Sequence, residues 1–153
     1  MSEDLSLILM ADDDQDDRDM AVDALAESQL TSRLEFVVDG QDLLDYLRGE
    51  GNYAGGSASA PKPAIILLDL NMPRKDGFEA LAEIKSDEGL RRIPVIALTT
   101  SRDEIDVRTS YDLGATSYIT KPMTFTGLVE VMDSLTDYWF NTVELPSDTD
   151  ERR

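Results

Sequence analysis

Residues 64–77 read AIILLDLNMPRKDG. The apolar run from Ala64 to Leu68 passes without a break into Asp69. Continuous rather than alternating apolarity predicts a strand covered on both faces, the signature of a parallel sheet. The polar turn that follows leads into Asp76 to Ser86, where Phe78, Leu81 and Ile84 recur at helical spacing and predict a helix with those residues inward. This strand–turn–helix unit recurs on both sides.

Upstream, Leu5 to Met10 reads as a buried strand, and the acidic stretch Asp12 to Asp19 opens a helix with Ala21, Ala24 and Leu25 on one face. Carboxylates in a first helical turn suit the positive end of the helix dipole. Leu34 to Val38 reads as a strand and Gly40 to Leu47 as a helix, while GEGNYAGGSASAPKP (49–63) reads as a mobile loop. Downstream, Pro94 to Leu98 is a strand ending at Thr99. Ser101 and Glu104 are spaced as a capping box for a helix running to about Leu113, which Gly114 stops. Thr116 to Thr120 is a fifth strand, and a last helix runs from about Thr124 to Phe140. The domain is expected to span 1–145, with a disordered polar tail over 146–153. Alternating strands and helices argue for a doubly wound α/β fold around a five-stranded parallel sheet.

The 153 residues suit one domain, and 41% hydrophobic content suffices for one core. Acidic residues number 32 against 14 basic ones, a formal charge of −18 that disfavours nucleic acid and anionic membranes as partners. The acids fit either an ordinary solvated surface or the surface of a protein from a salt-loving source. Cysteine and histidine are absent, which excludes disulfides, thiol catalysis, thiolate or imidazole metal sites and an imidazole base. No apolar run reaches the ~20 residues of a membrane span, and the start MSEDLS lacks the basic flank of a signal peptide, so a cytoplasmic location is expected.

In a doubly wound sheet the ligand site lies beyond the carboxyl ends of the strands. Those ends carry Asp12-Asp13-Asp14, Asp69, Thr99-Thr100 and Lys121. Singly, each has a plain reading: a helix cap, a turn aspartate, a strand-end threonine, a surface lysine. Together, four strand ends bring carboxylates, a hydroxyl and an ammonium to one sheet edge. Carboxylates so close repel unless a cation neutralises them. Without His or Cys, that cation is hard and oxygen-liganded, with Mg²⁺ the best fit.

The motifs ILMADDD, LLDLNMPRKDG, PVIALTTS and GATSYITKP, in this order and spacing, resemble those of CheY-like receiver domains of two-component response regulators, across about Ser6 to Phe140. The GNY loop, NMPRKDG, LTTS and the ending YWFNTVELP resemble the single-domain, phytochrome-partner type. The resemblance implies a flavodoxin-like (βα)5 fold with strand order 2-1-3-4-5. It implies that Asp69 accepts a phosphoryl group from a sensor histidine kinase, and the narrower resemblance points to one of the phytochrome photoreceptor type. Mg²⁺ would be held by Asp12, Asp13, Asp69 and the backbone carbonyl of Asn71. Lys121 and Thr99 would contact phosphoryl oxygens, Tyr118 would turn inward in a switch coupled to Thr99, and Lys121-Pro122 would be a cis peptide. Asp12 departs from the glutamate frequent in the family, and Gln15 stands where many relatives have proline.

Two other functions compete with the phosphoacceptor. A receiver-fold module that works by contact alone would usually have lost the acidic pair, the acceptor or the lysine, and all are present. An aspartyl phosphatase or phosphotransferase would need a second acid two residues beyond its nucleophile, where Asn71 stands. No output domain follows residue 140, so the signal is expected to pass by protein contact. The last helix is expected to pack Phe125, Leu128, Val129, Met132, Leu135 and Trp139 on the sheet. A second stripe, Val131, Leu135 and Tyr138, continued by Phe140, Val143 and Leu145, suggests a homodimer.

Overall fold

A computed structural model describes residues 7–27, 33–53, 62–72 and 74–135. Among them, strands β1 (Leu7–Ala11), β2 (Arg33–Val37), β3 (Ile65–Leu68), β4 (Val95–Thr99) and β5 (Ser117–Thr120) alternate with helices α1 (Gln15–Glu27), α2 (Gly40–Arg48), α3 (Gly77–Ser86), α4 (Glu104–Asp112) and α5 (Phe125–Leu135). The sheet is parallel with order β2-β1-β3-β4-β5, as the sequence motifs implied. None of the described helices is long and apolar enough to cross a membrane.

The continuous apolar runs serve two layers at once. In β3, Ile66 and Leu68 join a core with Leu43, Leu44, Leu81 and Ile84 of α2 and α3. Ile65 and Leu67, pointing the other way because side chains alternate across a strand, join Ala21, Ala24, Leu128, Met132 and Leu135 of α1 and α5. β4 divides likewise, Val95 and Ala97 to the first core and Ile96 and Leu98 to the second. Each buried leucine or isoleucine contributes roughly 1.5–3 kcal/mol, so the two layers carry most of the stabilisation.

Several local expectations change. The helix at 104 is capped by Asp103, whose carboxylate accepts from the Ile105 N–H at 3.0 Å, rather than by a Ser101/Glu104 box. The helix begins at Glu104 itself, too early for that side chain to reach back. Ser101 instead donates to Asp106 at 2.6 Å. A capping box does occur at α3, between Asp76 and Glu79. Within the expected loop after α2, Gly51–Tyr53 form a 3-10 turn; Tyr53 stacks edge-on against Tyr46 and donates its hydroxyl to Asp42 at 3.0 Å. In α5, Leu128, Val129, Met132 and Leu135 pack inward as expected, whereas Phe125, at the helix's first position, is exposed. Val131 and Leu135 also pack on the chain's own core, so this part of the expected second stripe is covered. Trp139, Tyr138, Phe140, Val143, Leu145 and the tail lie outside the described residues, as do Leu5 and Ser6.

The β2–α2 junction is tied to the loop after β3. Asp39 caps α2 through the Asp42 N–H at 2.7 Å and holds Arg74 through two hydrogen bonds of 2.7 and 3.0 Å. Burial alone would raise the Asp39 carboxyl; the Arg74 guanidinium and the Asp42 N–H overcome this and hold it below the ordinary range. Asp39→Ala should cost about 1–2 kcal/mol through loss of the cap. Because the folded carboxyl is the stronger acid, its contribution is present above the ordinary carboxylate pKa and is lost as pH falls through the lower folded value. Urea unfolding should therefore show the gap between variant and wild type narrowing from neutral pH toward about pH 3.

Candidate functional site

The sheet ladder itself delivers the site residues. In register, Ala11 lies beside Leu68 and Thr99 beside Thr120, so Asp12, Asp69 and Lys121 each stand one residue past a strand end. Their backbone N–H groups extend the ladder: Asp12 donates to the Val37 carbonyl at 3.0 Å, Asp69 to Ala11 at 3.0 Å and Lys121 to Thr99 at 2.8 Å. The functional side chains thus start from rigid backbone.

Within the acidic run the roles divide. Asp14 takes the capping role at α1, accepting from the Asp16 N–H at 2.8 Å, while Asp13 is exposed and Asp12 fully buried. Asp12 Oδ1 accepts from the Asp14 N–H at 3.0 Å, leaving Oδ2 at 2.7 Å from Lys121 Nζ. Asp69 is 7% exposed; its Oδ1 accepts from the Asn71 N–H at 3.0 Å and its Oδ2 from Lys121 Nζ at 3.1 Å. One oxygen from each of Asp12, Asp13 and Asp69 lies within 4.8 Å of the others.

Burial drives the Asp12 carboxyl above its ordinary range, in spite of Lys121 and the Asp14 N–H, and the neighbouring Asp69 charge adds to the effect. The Lys121 ammonium is affected oppositely: burial would lower it, but Asp12, Asp17 and the Asp69 charge together hold it well above its usual value. The site therefore keeps one firm cation facing carboxylates that still crowd one another. Oxygen-only donors at this spacing, one exposed and two buried, suit a hard divalent cation such as Mg²⁺.

Thr99 is fully buried, and its hydroxyl has no partner among the described residues. Tyr118 is half-buried, packs against the α2–α3 core and donates its hydroxyl to the Ser101 carbonyl at 2.8 Å. One expectation fails: none of the described peptide bonds is cis, so Lys121-Pro122 is trans. The ammonium is oriented instead by the Thr99 ladder bond and its carboxylate partners. Gly77 backs the acceptor, its N–H donating to the Leu70 carbonyl at 3.1 Å. A Cβ there would fall 2.5 Å from the Asp69 carbonyl oxygen.

Sequence reasoning missed a participant. Asp17, in the first turn of α1, pairs with Lys121 at 2.6 Å. The available signal was its place among the acids of the first turn of α1, beside the strand end that carries Asp12.

This fold and this edge of carboxylates and lysine define a receiver domain. The family model of the response regulator receiver domain matches residues 8–133, and the chain belongs to that family. It is 38% identical over 141 residues to the response regulator Rcp1 of Synechocystis, covering 92% of this chain and 93% of Rcp1. The crystal structure of the phosphorylated cyanobacterial phytochrome response regulator RcpA superposes with a TM-score of 0.84 at 42% identity, over 94% of this chain and all of RcpA. The Mn²⁺-bound form of Rcp1 gives a TM-score of 0.81 at 39% identity, over 93% of this chain and 99% of that one.

Proposed function

We propose that the chain is a single-domain response regulator that accepts a phosphoryl group on Asp69 from a sensor histidine kinase, with Mg²⁺, and signals by conformational change and protein contact. The observation that carries this reading is the meeting of the Asp12, Asp13 and Asp69 carboxylates beneath the Lys121 ammonium. Asp12, Asp13, Asp69 and the Asn71 carbonyl would hold the metal, which when bound supplies positive charge opposite the phosphoryl oxygens. An Asp69 oxygen attacks phosphorus, an O–P bond forms, and the N–P bond to the kinase's imidazole breaks. A carboxylate is a modest nucleophile, so positioning and charge neutralisation carry the step. Lys121 contributes a directed cation, and the unpaired Thr99 hydroxyl is available to donate to a phosphoryl oxygen. Movement of Thr99 is then relayed to Tyr118.

The likeness to the phytochrome response regulator RcpA supports a phytochrome-type kinase as partner, and a cytoplasmic location belongs to the same proposal. The same proposal includes a homodimer, supported by Ile105, Tyr111, Met123 and Phe125, apolar and exposed along α4 and the start of α5. Incubation with acetyl phosphate or a candidate kinase, followed by mass spectrometry, tests the reading. Mg²⁺-dependent phosphate on Asp69 supports it, and a receiver that stays unlabelled points to a module acting by contact alone.

Metal binding has its own test. A cation that binds only the folded state raises stability by RT ln(1 + [L]/Kd), about 1 kcal/mol for a millimolar site at ~5 mM Mg²⁺. Asp13→Asn should lose most of this rise and melt no lower than wild type without metal, because one repelling charge is gone. Equal Mg²⁺-dependent melting shifts in the two proteins would contradict the site.

A further inference from the structure

Lys121 faces three carboxylates, at 2.6 Å from Asp17, 2.7 Å from Asp12 and 3.1 Å from Asp69. The shortest contact is to the acid that is not part of the metal-type cluster. Asp17 stands apart from the other two in its surroundings: its side chain is 34% exposed, against 0% for Asp12 and 9% for Asp69. An ammonium has three N–H donors and no acceptor, so each carboxylate draws on a limited supply.

We propose that Asp17 is a positioning residue for Lys121, a competing counter-ion that draws the ammonium away from Asp12 and Asp69. This rests on the phosphoacceptor reading and extends it with two effects of opposite sign. A divalent cation entering among Asp12, Asp13 and Asp69 repels Lys121, and Asp17 gives the ammonium somewhere to go, so Asp17 favours metal binding. A phosphoryl group or its mimic on Asp69 needs the same ammonium as a partner. There Asp17 competes and also adds a like charge, so it weakens retention of the anion. A unit charge a few ångströms away at an effective dielectric constant of about 20, discounted for partial exposure, corresponds to changes of roughly three- to tenfold.

The test uses the full chain at physiological salt, with binding followed by NMR. Mg²⁺ is titrated first, and beryllofluoride is then added at saturating Mg²⁺, into wild type, Asp17→Asn and Asp16→Asn. Asp16 lies in the same helical turn but is exposed, so its variant removes the same formal charge without the contact. Asp17→Asn should bind Mg²⁺ roughly three- to tenfold more weakly and beryllofluoride more tightly by a similar factor, with Asp16→Asn changing either by less than about twofold. Shifts of the same sign, as a loosened fold would give, overturn the proposal; so does an Asp16→Asn variant that reproduces them. If wild type binds Mg²⁺ but no beryllofluoride, the phosphoacceptor reading fails separately. The Mg²⁺ arm still decides Asp17, and an unchanged Mg²⁺ affinity in Asp17→Asn overturns its role.

Discussion

Asp69→Asn is expected to abolish labelling by acetyl phosphate or kinase, a loss of more than about 10³-fold, the scale seen when a nucleophile is removed. The substitution keeps the volume of the side chain and exchanges one carboxylate oxygen for an amide nitrogen. The remaining oxygen can still accept from the Asn71 N–H, and Lys121 retains Asp12 and Asp17 as partners, so the fold should persist. An amide oxygen, however, has neither the charge nor the basicity to attack phosphorus. Intact-mass spectrometry after a fixed incubation, beside circular dichroism of both proteins, makes the comparison. Labelling of the variant at the wild-type rate would place the acceptor elsewhere in the acidic surface.

Gly77→Ala is expected to act on the same chemistry through the backbone. The new methyl group would lie 2.5 Å from the Asp69 carbonyl oxygen and 2.6 Å from the Leu70 Cα, closer than real Cβ atoms come to other heavy atoms. Neither neighbour is the tip of a flexible side chain, so the strand end or the start of α3 must shift. Overpacking of this kind costs about 1–3 kcal/mol, and a 2 kcal/mol loss lowers Tm by roughly 4–8 °C in a domain of this size. The displacement falls on the acceptor residue itself, so phosphorylation should slow by a further ten- to hundredfold in protein that remains folded. Gly89→Ala is the control: Gly89 is exposed, and its nearest contact is the Asp87 carboxylate tip at 3.3 Å. That variant should stay within about 0.5 kcal/mol of wild type and label normally. A Gly77→Ala protein with wild-type stability and labelling would show that this backbone approach is not needed.

The chemistry at the strand ends was legible because each piece is local. An unbroken run such as AIILLD announces a covered strand, and the residue that follows it stands at the sheet edge whatever the rest of the chain does. Asp12, Asp13, Asp69, Thr99 and Lys121 could therefore be assembled from four short segments once the parallel alternation was recognised. Register then brings Asp12, Asp69 and Lys121 together, and the sequence had already named all three. Helix starts were less legible. Asp103 and Ser101 both offer an acceptor oxygen, and only the backbone conformation decides which one caps the helix.

By itself, then, the sequence determined the alternation of strands and helices, the two-sided burial of the central strands and the identity of the residues at the sheet edge. These follow from periodicities of two and 3.6 residues and from side-chain chemistry, which need no knowledge of distant segments. Tertiary structure alone decided which distant groups meet. Asp17 pairs with Lys121 across 104 residues, and Arg74 with Asp39 across 35. The Tyr118 hydroxyl reaches the Ser101 carbonyl, Val131 turns inward and Phe125 outward. A charge or an apolar side chain carries no label for its partner. The choice depends on how α1 and α5 sit against the sheet, a placement set by the summed packing of both cores rather than by any local stretch of chain.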